Sequence, residues 1–294
     1  MKKKVLIGLL VVAGSYGMAQ QKTVERAVVK SKTEITFPEN ANRQADGEGD
    51  GGGAPTGMES KNTVYFTKDF IKTYNETDFG NNTVIVDRQN KKTTTIIEAM
   101  GRKTGYYSTE ADEAEMRKKM QERMDSLRQA RGGQAGQNTP NNGTPPETEI
   151  VKTEETKKIA GYTCKKAIIK TKSRQGEVNE LTVWYAPEFK MAEGFPASGN
   201  ANFGGGGRGF SGSFGGGRGR MSFGGFAGLD KIEGFVMGYE MSRPNGFKMN
   251  MEVTKVELDT EIPVKTFDVP KGIELKPASE MQNMFMGRPG RQGQ

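Results

Sequence analysis

Strict two-residue alternation of apolar and polar side chains recurs along this chain and constrains its fold class most. Phe247, Met249, Met251 and Val253 are apolar, while Lys248, Asn250, Glu252 and Thr254 between them are polar. Phe235, Met237, Tyr239 and Met241 repeat the pattern upstream, and Ser242-Arg243-Pro244-Asn245-Gly246 separates the two runs. A period of two marks a strand with one buried face, so this pair is predicted to be a hairpin. Leu181, Val183 and Tyr185 alternate in the same way, with Cys164 to Lys172 as their hairpin partner across Gln175-Gly176. Thr83–Asp87, Thr93–Ala99 and Lys103–Tyr107 read as further short strands, and Lys22–Phe37 as a long first strand. Links this short leave no room for βαβ crossovers, so the sheet is expected to be antiparallel.

One segment changes period. From Ala111 to Ala130, residues Met116, Met120, Met124 and Leu127 fall on one helical face. Thr109 is placed to cap this helix, with Asp112 completing a variant of the capping box. Glu113–Arg117 and Glu115–Lys119 are acid-first pairs one turn apart, and Gly132-Gly133 ends the segment. A shorter helix is expected after Ser279, with Met281, Met284 and Phe285 on one side. The fold class is therefore mainly β, of the α+β kind, with one long amphipathic helix over about 110–130 and a short C-terminal one.

Glycine divides the chain further. Of 40 glycines, 28 fall in four segments: 45–57, 132–143, 194–228 and 287–294. These segments lack apolar periodicity, so they are expected to be flexible insertions (45–57, 132–147 and 194–228) and a disordered tail (287–294). The remainder, within 20–286, has the glycine content of one ordinary globular domain. Arg208, Arg218, Arg220, Arg288 and Arg291 lie in the acid-free loop and tail, so the basic charge sits in the appendages.

Residues 1–19 read as a secretory signal peptide. Lys2, Lys3 and Lys4 precede a short apolar run from Val5 to Ala13, and Gly17-Met18-Ala19 supplies small residues before a cut ahead of Gln20. The run is too short to span a bilayer, and no later run is long enough, so no transmembrane segment is expected. No Cys lies near the cut to take a lipid. Cleavage removes three lysines and no acid, which lowers the net charge from +7 to +4. The expected location is the periplasm or envelope, or outside the cell.

The composition excludes much chemistry. With no His in 294 residues there is no Ser-His-Asp triad, imidazole base or His-ligated metal. The single Cys164 allows no internal disulfide and no metal cluster, and is expected to be buried and inert. Asp46-Gly47-Glu48-Gly49-Asp50-Gly51 matches the first half of a calcium loop. Gly57 stands where the bidentate carboxylate belongs, so a solvated acidic loop is expected. Phe203, Phe210, Phe214, Phe223 and Phe226 interleave with arginines as in RNA-binding boxes, but three arginines in an exported loop do not make a nucleic-acid partner. No cofactor, metal or catalytic residue is expected, and the chain reads as a non-enzyme.

The methionines leave two readings open. Met fills irregular cores, and it also lines adaptable apolar grooves. In the second reading Met116, Met120, Met124 and Leu127 of the helix face Met237, Tyr239, Met249 and Met251 across a ligand cavity.

A resemblance enters at this point. Ile159-Ala160-Gly161-Tyr162-Thr163-Cys164-Lys165-Lys166-Ala167 is followed by Thr182-Val183-Trp184-Tyr185-Ala186-Pro187-Glu188. Then come Met251-Glu252-Val253-Thr254-Lys255-Val256 and Phe267-Asp268-Val269-Pro270-Lys271-Gly272. This order resembles exported Bacteroidota domains of the GLPGLI kind, whose signature stands here as Gly228-Leu229-Asp230-Lys231-Ile232-Glu233-Gly234. The resemblance implies a LolA-like fold, a curved antiparallel sheet or half-barrel with helices against its concave face, and no catalytic residues. It implies an envelope carrier of lipid or lipoprotein acyl chains. The alternative is a structural protein that meets the envelope surface through its Gly/Phe/Arg-rich loop.

Overall fold

The alternating runs do assemble into strands of one large sheet. The computed structural model describes residues 21–38, 56–130, 147–172, 178–196, 228–244 and 246–280, and the statements below concern these. The signal segment, the acidic glycine loop at 46–51, the Phe/Arg-rich stretch and the C-terminal residues from 281 onward lie outside them. So do the side chains of Met120, Met124 and Leu127.

The first strands are β1 (Lys22–Val24), β2 (Ala27–Thr36), β3 (Gly57–Phe66) and β4 (Phe70–Thr77). Next come β5 (Gly80–Asp87), β6 (Lys92–Ala99) and β7 (Arg102–Thr109), then the helix α1 (Glu110–Ala130). After it follow β8 (Thr148–Ile159), β9 (Tyr162–Lys172), β10 (Val178–Ala186) and β11 (Phe189–Met191). The last are β12 (Phe235–Ser242), β13 (Lys248–Leu258) and β14 (Leu275–Pro277). Twelve of them form one curved sheet, not closed into a barrel, in the order β14-β7-β6-β5-β4-β3-β2-β13-β12-β10-β9-β8. Two runs of strands meet in it, β3 to β7 on one side and β8 to β10 with β12 and β13 on the other. The join is β2, which pairs antiparallel with both β3 and β13. Edge strand β14 runs parallel to β7.

The long first strand expected over 22–37 divides at Glu25-Arg26. β1 leaves the large sheet and pairs in parallel with β11. Its Lys22 forms an ion pair with Asp259, just beyond β13. β3, β4, β8, β11 and β14 were not anticipated.

Local chemistry accounts for the connections. Between β6 and β7, Met100 and Gly101 both have positive φ (52° and 73°), as a two-residue turn matching the twist of its strands requires. The helix begins as expected. Asp112 Oδ2 accepts from the Thr109 amide and hydroxyl, both at 2.8 Å, and the Asp112 amide donates back to Thr109 Oγ1 at 3.2 Å. Among the described side chains of α1, Glu113 and Met116 are half-buried and the others exposed. The outer strand β8 carries Lys152, Glu154, Glu155, Lys157 and Lys158, charges that discourage pairing with another chain.

The sheet has a core on each face. The larger lies on one face, the inner face, with Val29, Ile35, Val64, Leu181, Val183, Tyr239, Met249 and Met251 among its members. Phe66, Phe195, Phe235 and Phe189 form a chain of ring contacts 5.2–5.6 Å apart within it. Arg88 closes one end. Its guanidinium lies 5.5 Å from the Phe66 ring centre and donates to the Lys68 and Glu193 carbonyls. On the outer face, residues 262–273 lie over β5 and β6, where Phe267 joins Ile85 and Ile96 and stacks on Phe70. Lys72 Nζ donates to the Thr266 carbonyl at 2.8 Å, and burial there lowers its pKa.

Met100 is 98% exposed, so its left-handed backbone is the main structural demand on it. Asn tolerates that conformation better, so Met100→Asn is expected to stabilise the fold by about 0.5–1 kcal/mol. A urea unfolding midpoint that stays level or falls contradicts this reading.

Candidate functional site

The inner face is apolar over β9, β10, β12 and β13 and carries an uncharged polar patch on β2 to β5, set beside Val29, Ile35, Val64, Phe66 and Ile71. In the apolar half, Tyr239 stands opposite Met251, and Met241 opposite Met249. Val183 and Leu181 of β10 continue those two rows. Met237, Tyr239, Met249 and Met251 are all buried in this cluster. The structure thus brings together the four sheet residues expected to line a cavity. Met116 is elsewhere: its helix contacts β7, and it is not among the side chains packed on this cluster.

Charge is confined to the outer face along β2, β3 and β4. Lys30, Lys32 and Glu34 alternate with buried Ser31 and Thr33, and Glu59 and Lys61 alternate with buried Ser60 and Asn62. Lys72 and Glu76 alternate with buried Thr73 and Asn75. Following the register through β5 and β6 adds Asn82, Val84, Val86, Thr93, Thr95 and Ile97 to the inner face. No inner-facing strand residue of β2 to β6 is charged, and the charge that meets this face is Arg88, in the turn after β5, over the Phe66 ring.

Asn62 is paired with Asn75, and Asn75 with Asn82, so the three amides form one row across β3, β4 and β5. Directly opposed side chains in such a ladder have Cβ atoms about 4.5–5.5 Å apart. The Oδ1 atom of each is buried and has no hydrogen-bond partner. The sequence reading missed all three. Their signal was a strand in which charged residues alternate with small uncharged polar ones, a pattern that carries no apolar period.

Two buried ionisable groups on the apolar side are held neutral. Burial pushes the Cys164 thiol up to about 11 and the Tyr239 phenol up to about 12. Cys164 is fully buried and is not disulfide-bonded. Among the described residues no group of His, Cys, Asp and Glu is placed to hold a metal ion. No helix among them is long and apolar enough to cross a membrane.

The signature-like segment 228–234 borders this face. Residues Leu229–Lys231 form a 3-10 turn, and Ile232 enters the core. Gly234 has φ 154°, and a Cβ there would fall 2.5 Å from the Ala186 carbonyl oxygen, so only glycine fits.

No protein-family model and no curated protein sequence matches the chain. Among solved structures it is similar to PNGF-II at 15% identity and TM-score 0.32, with 88% of this chain and 33% of that chain covered. This chain therefore spans about a third of PNGF-II. It is also similar to a domain from Vibrio parahaemolyticus assigned to outer membrane lipoprotein sorting. There the identity is 7% and the TM-score 0.25, over 85% of this chain and 92% of that one.

Two outcomes follow. Asn75→Leu removes a buried amide oxygen that lacks a partner, so in ligand-free protein it is expected to raise stability by about 1 kcal/mol, read as the urea midpoint. A loss of stability means that the amide is satisfied in the free protein. Cys164 is expected to resist thiol reagents at pH 8 until the protein is denatured. Its folded pKa of about 11 exceeds the ordinary 9.0, so its contribution to stability is full below pH 9 and is lost as pH rises toward 11. Fast labelling of the native protein contradicts the burial.

Proposed function

We propose that this chain is an exported, non-catalytic binding protein of the cell envelope, a carrier that holds an apolar ligand against the inner face of its sheet. The ligand class is a lipid or the acyl chain of a lipoprotein. The observation that carries the reading is the register-matched row of Met251, Tyr239, Met249 and Met241 on the inner face of a sheet that curves without closing. Methionine adapts its shape to irregular apolar partners, and burial of such surface is worth about 25 cal/mol per Å². Export rests on the signal-like residues 1–19.

Native mass spectrometry of protein purified from its own envelope without detergent tests the proposal. The expected spectrum shows a lipid-sized adduct, and Met241→Trp, which fills the apolar row, weakens its retention while the β-sheet circular dichroism is kept. An empty wild-type protein with the same dichroism overturns the carrier reading. It would favour the alternative, a packed-core interaction protein that acts through its Gly/Phe/Arg-rich loop.

A further inference from the structure

The row Asn62, Asn75, Asn82 is the least expected feature of the inner face. Asn62 is 4% exposed and Asn75 8%, yet the amide oxygen of each, like that of Asn82, lacks a partner. Buried polar atoms in folded proteins are almost always hydrogen-bonded, so three orphans in one line point to a partner that arrives from outside the chain.

The chemistry of that partner follows from the surroundings. The strands β2 to β6 carry no charged side chain on the inner face, and the Arg88 guanidinium at the Phe66 end is engaged by the Lys68 and Glu193 carbonyls, so an ionic group brought onto the amide row would lose its hydration and find no counter-charge from the strands beneath it. A side-chain amide offers both a donor end and an acceptor end, which a hydroxyl group matches in either sense. The amides repeat from strand to strand, flanked by Ser31, Ser60 and Thr73, so the face suits several hydroxyls in a row. This polar patch begins where the apolar half ends. Across the β2–β13 pairing, Ser31 stands opposite Val253 and Thr33 opposite Met251. On the other side of β2, Ser31 stands opposite Asn62.

We propose that the inner face binds an amphiphile whose head group is uncharged and polyhydroxylated. The head lies on the Asn62–Asn75–Asn82 row, and the apolar chain runs along β13 and β12. This inference rests on the carrier reading and specifies its ligand class.

Isothermal titration calorimetry with the mature protein tests it. The probes are dodecyl maltoside, dodecyl phosphate and dodecyltrimethylammonium, each kept below its micellar concentration. The maltoside is expected to bind about tenfold tighter than either ionic probe, the range that lost buried hydrogen bonds span. Asn75→Leu is expected to abolish that preference, so that the maltoside binds no tighter than the ionic probes, with thermal unfolding confirming the fold. Asn62→Leu is the second variant if the first does not fold. Equal binding of all three probes, or a preference that survives both substitutions, overturns the inference and leaves the carrier reading standing. Failure of all three to bind overturns both.

Discussion

The pairing of β2 with two partners holds the rest of the structure together. Its residues Ala27 to Thr36 are hydrogen-bonded to β3 along one edge and to β13 along the other. Without it the strands before the helix and those after it would be separate sheets, each too small to bury a large face. The register of β2 is set less by what it points inward than by what it keeps out. A one-residue slip would turn Lys30, Lys32 and Glu34 to the inner face in place of Ser31, Thr33 and Ile35. Each uncompensated buried charge costs several kcal/mol, far more than small polar residues gain by facing inward. The charges on the solvent side thus lock the alignment.

The two halves of the sheet are stabilised by different means. β9, β10, β12 and β13 bury their inner faces in the methionine and aromatic core. β4, β5 and β6 have few apolar inner residues, and their second core is on the opposite side. There Ile85 and Ile96 lie under Phe267, with Ile262, Val269 and Ile273 around them. The C-terminal segment therefore relieves the inner face of this half of its structural duty. That division makes room for a row of amides whose oxygens find no hydrogen-bond partner.

How much was legible in the sequence follows the same division. The hairpins at 162–186 and 235–258 were readable because their inner residues are apolar and their outer ones polar. The helix was readable because its cap and its period agree. β3 and β4 were invisible to the same method. Ser60, Asn62, Thr73 and Asn75 are buried in the assembled sheet, and nothing local marks a serine or asparagine as inward-facing. β8 was hidden by the lysines and glutamates that suit an edge. The split between β1 and β2 depends on an ion pair and on pairing with residues 189–191, more than 160 positions away. The four sheet residues foreseen for the candidate site lie together, whereas the amide row needed the register to be seen at all.

The central place of β2 also sets an order of events. A chain is made from its N-terminus, and β2 finds β3 within a few dozen residues. Its other edge matches β13, whose residues 248–258 emerge far later than β3. Contacts of such sequence separation form slowly. Throughout that interval the middle strand of the finished sheet is an exposed edge, open to pairing with any extended segment nearby. The alternating lysines and glutamate that fix its register then have an earlier duty, which is to keep a half-made molecule from joining its neighbours.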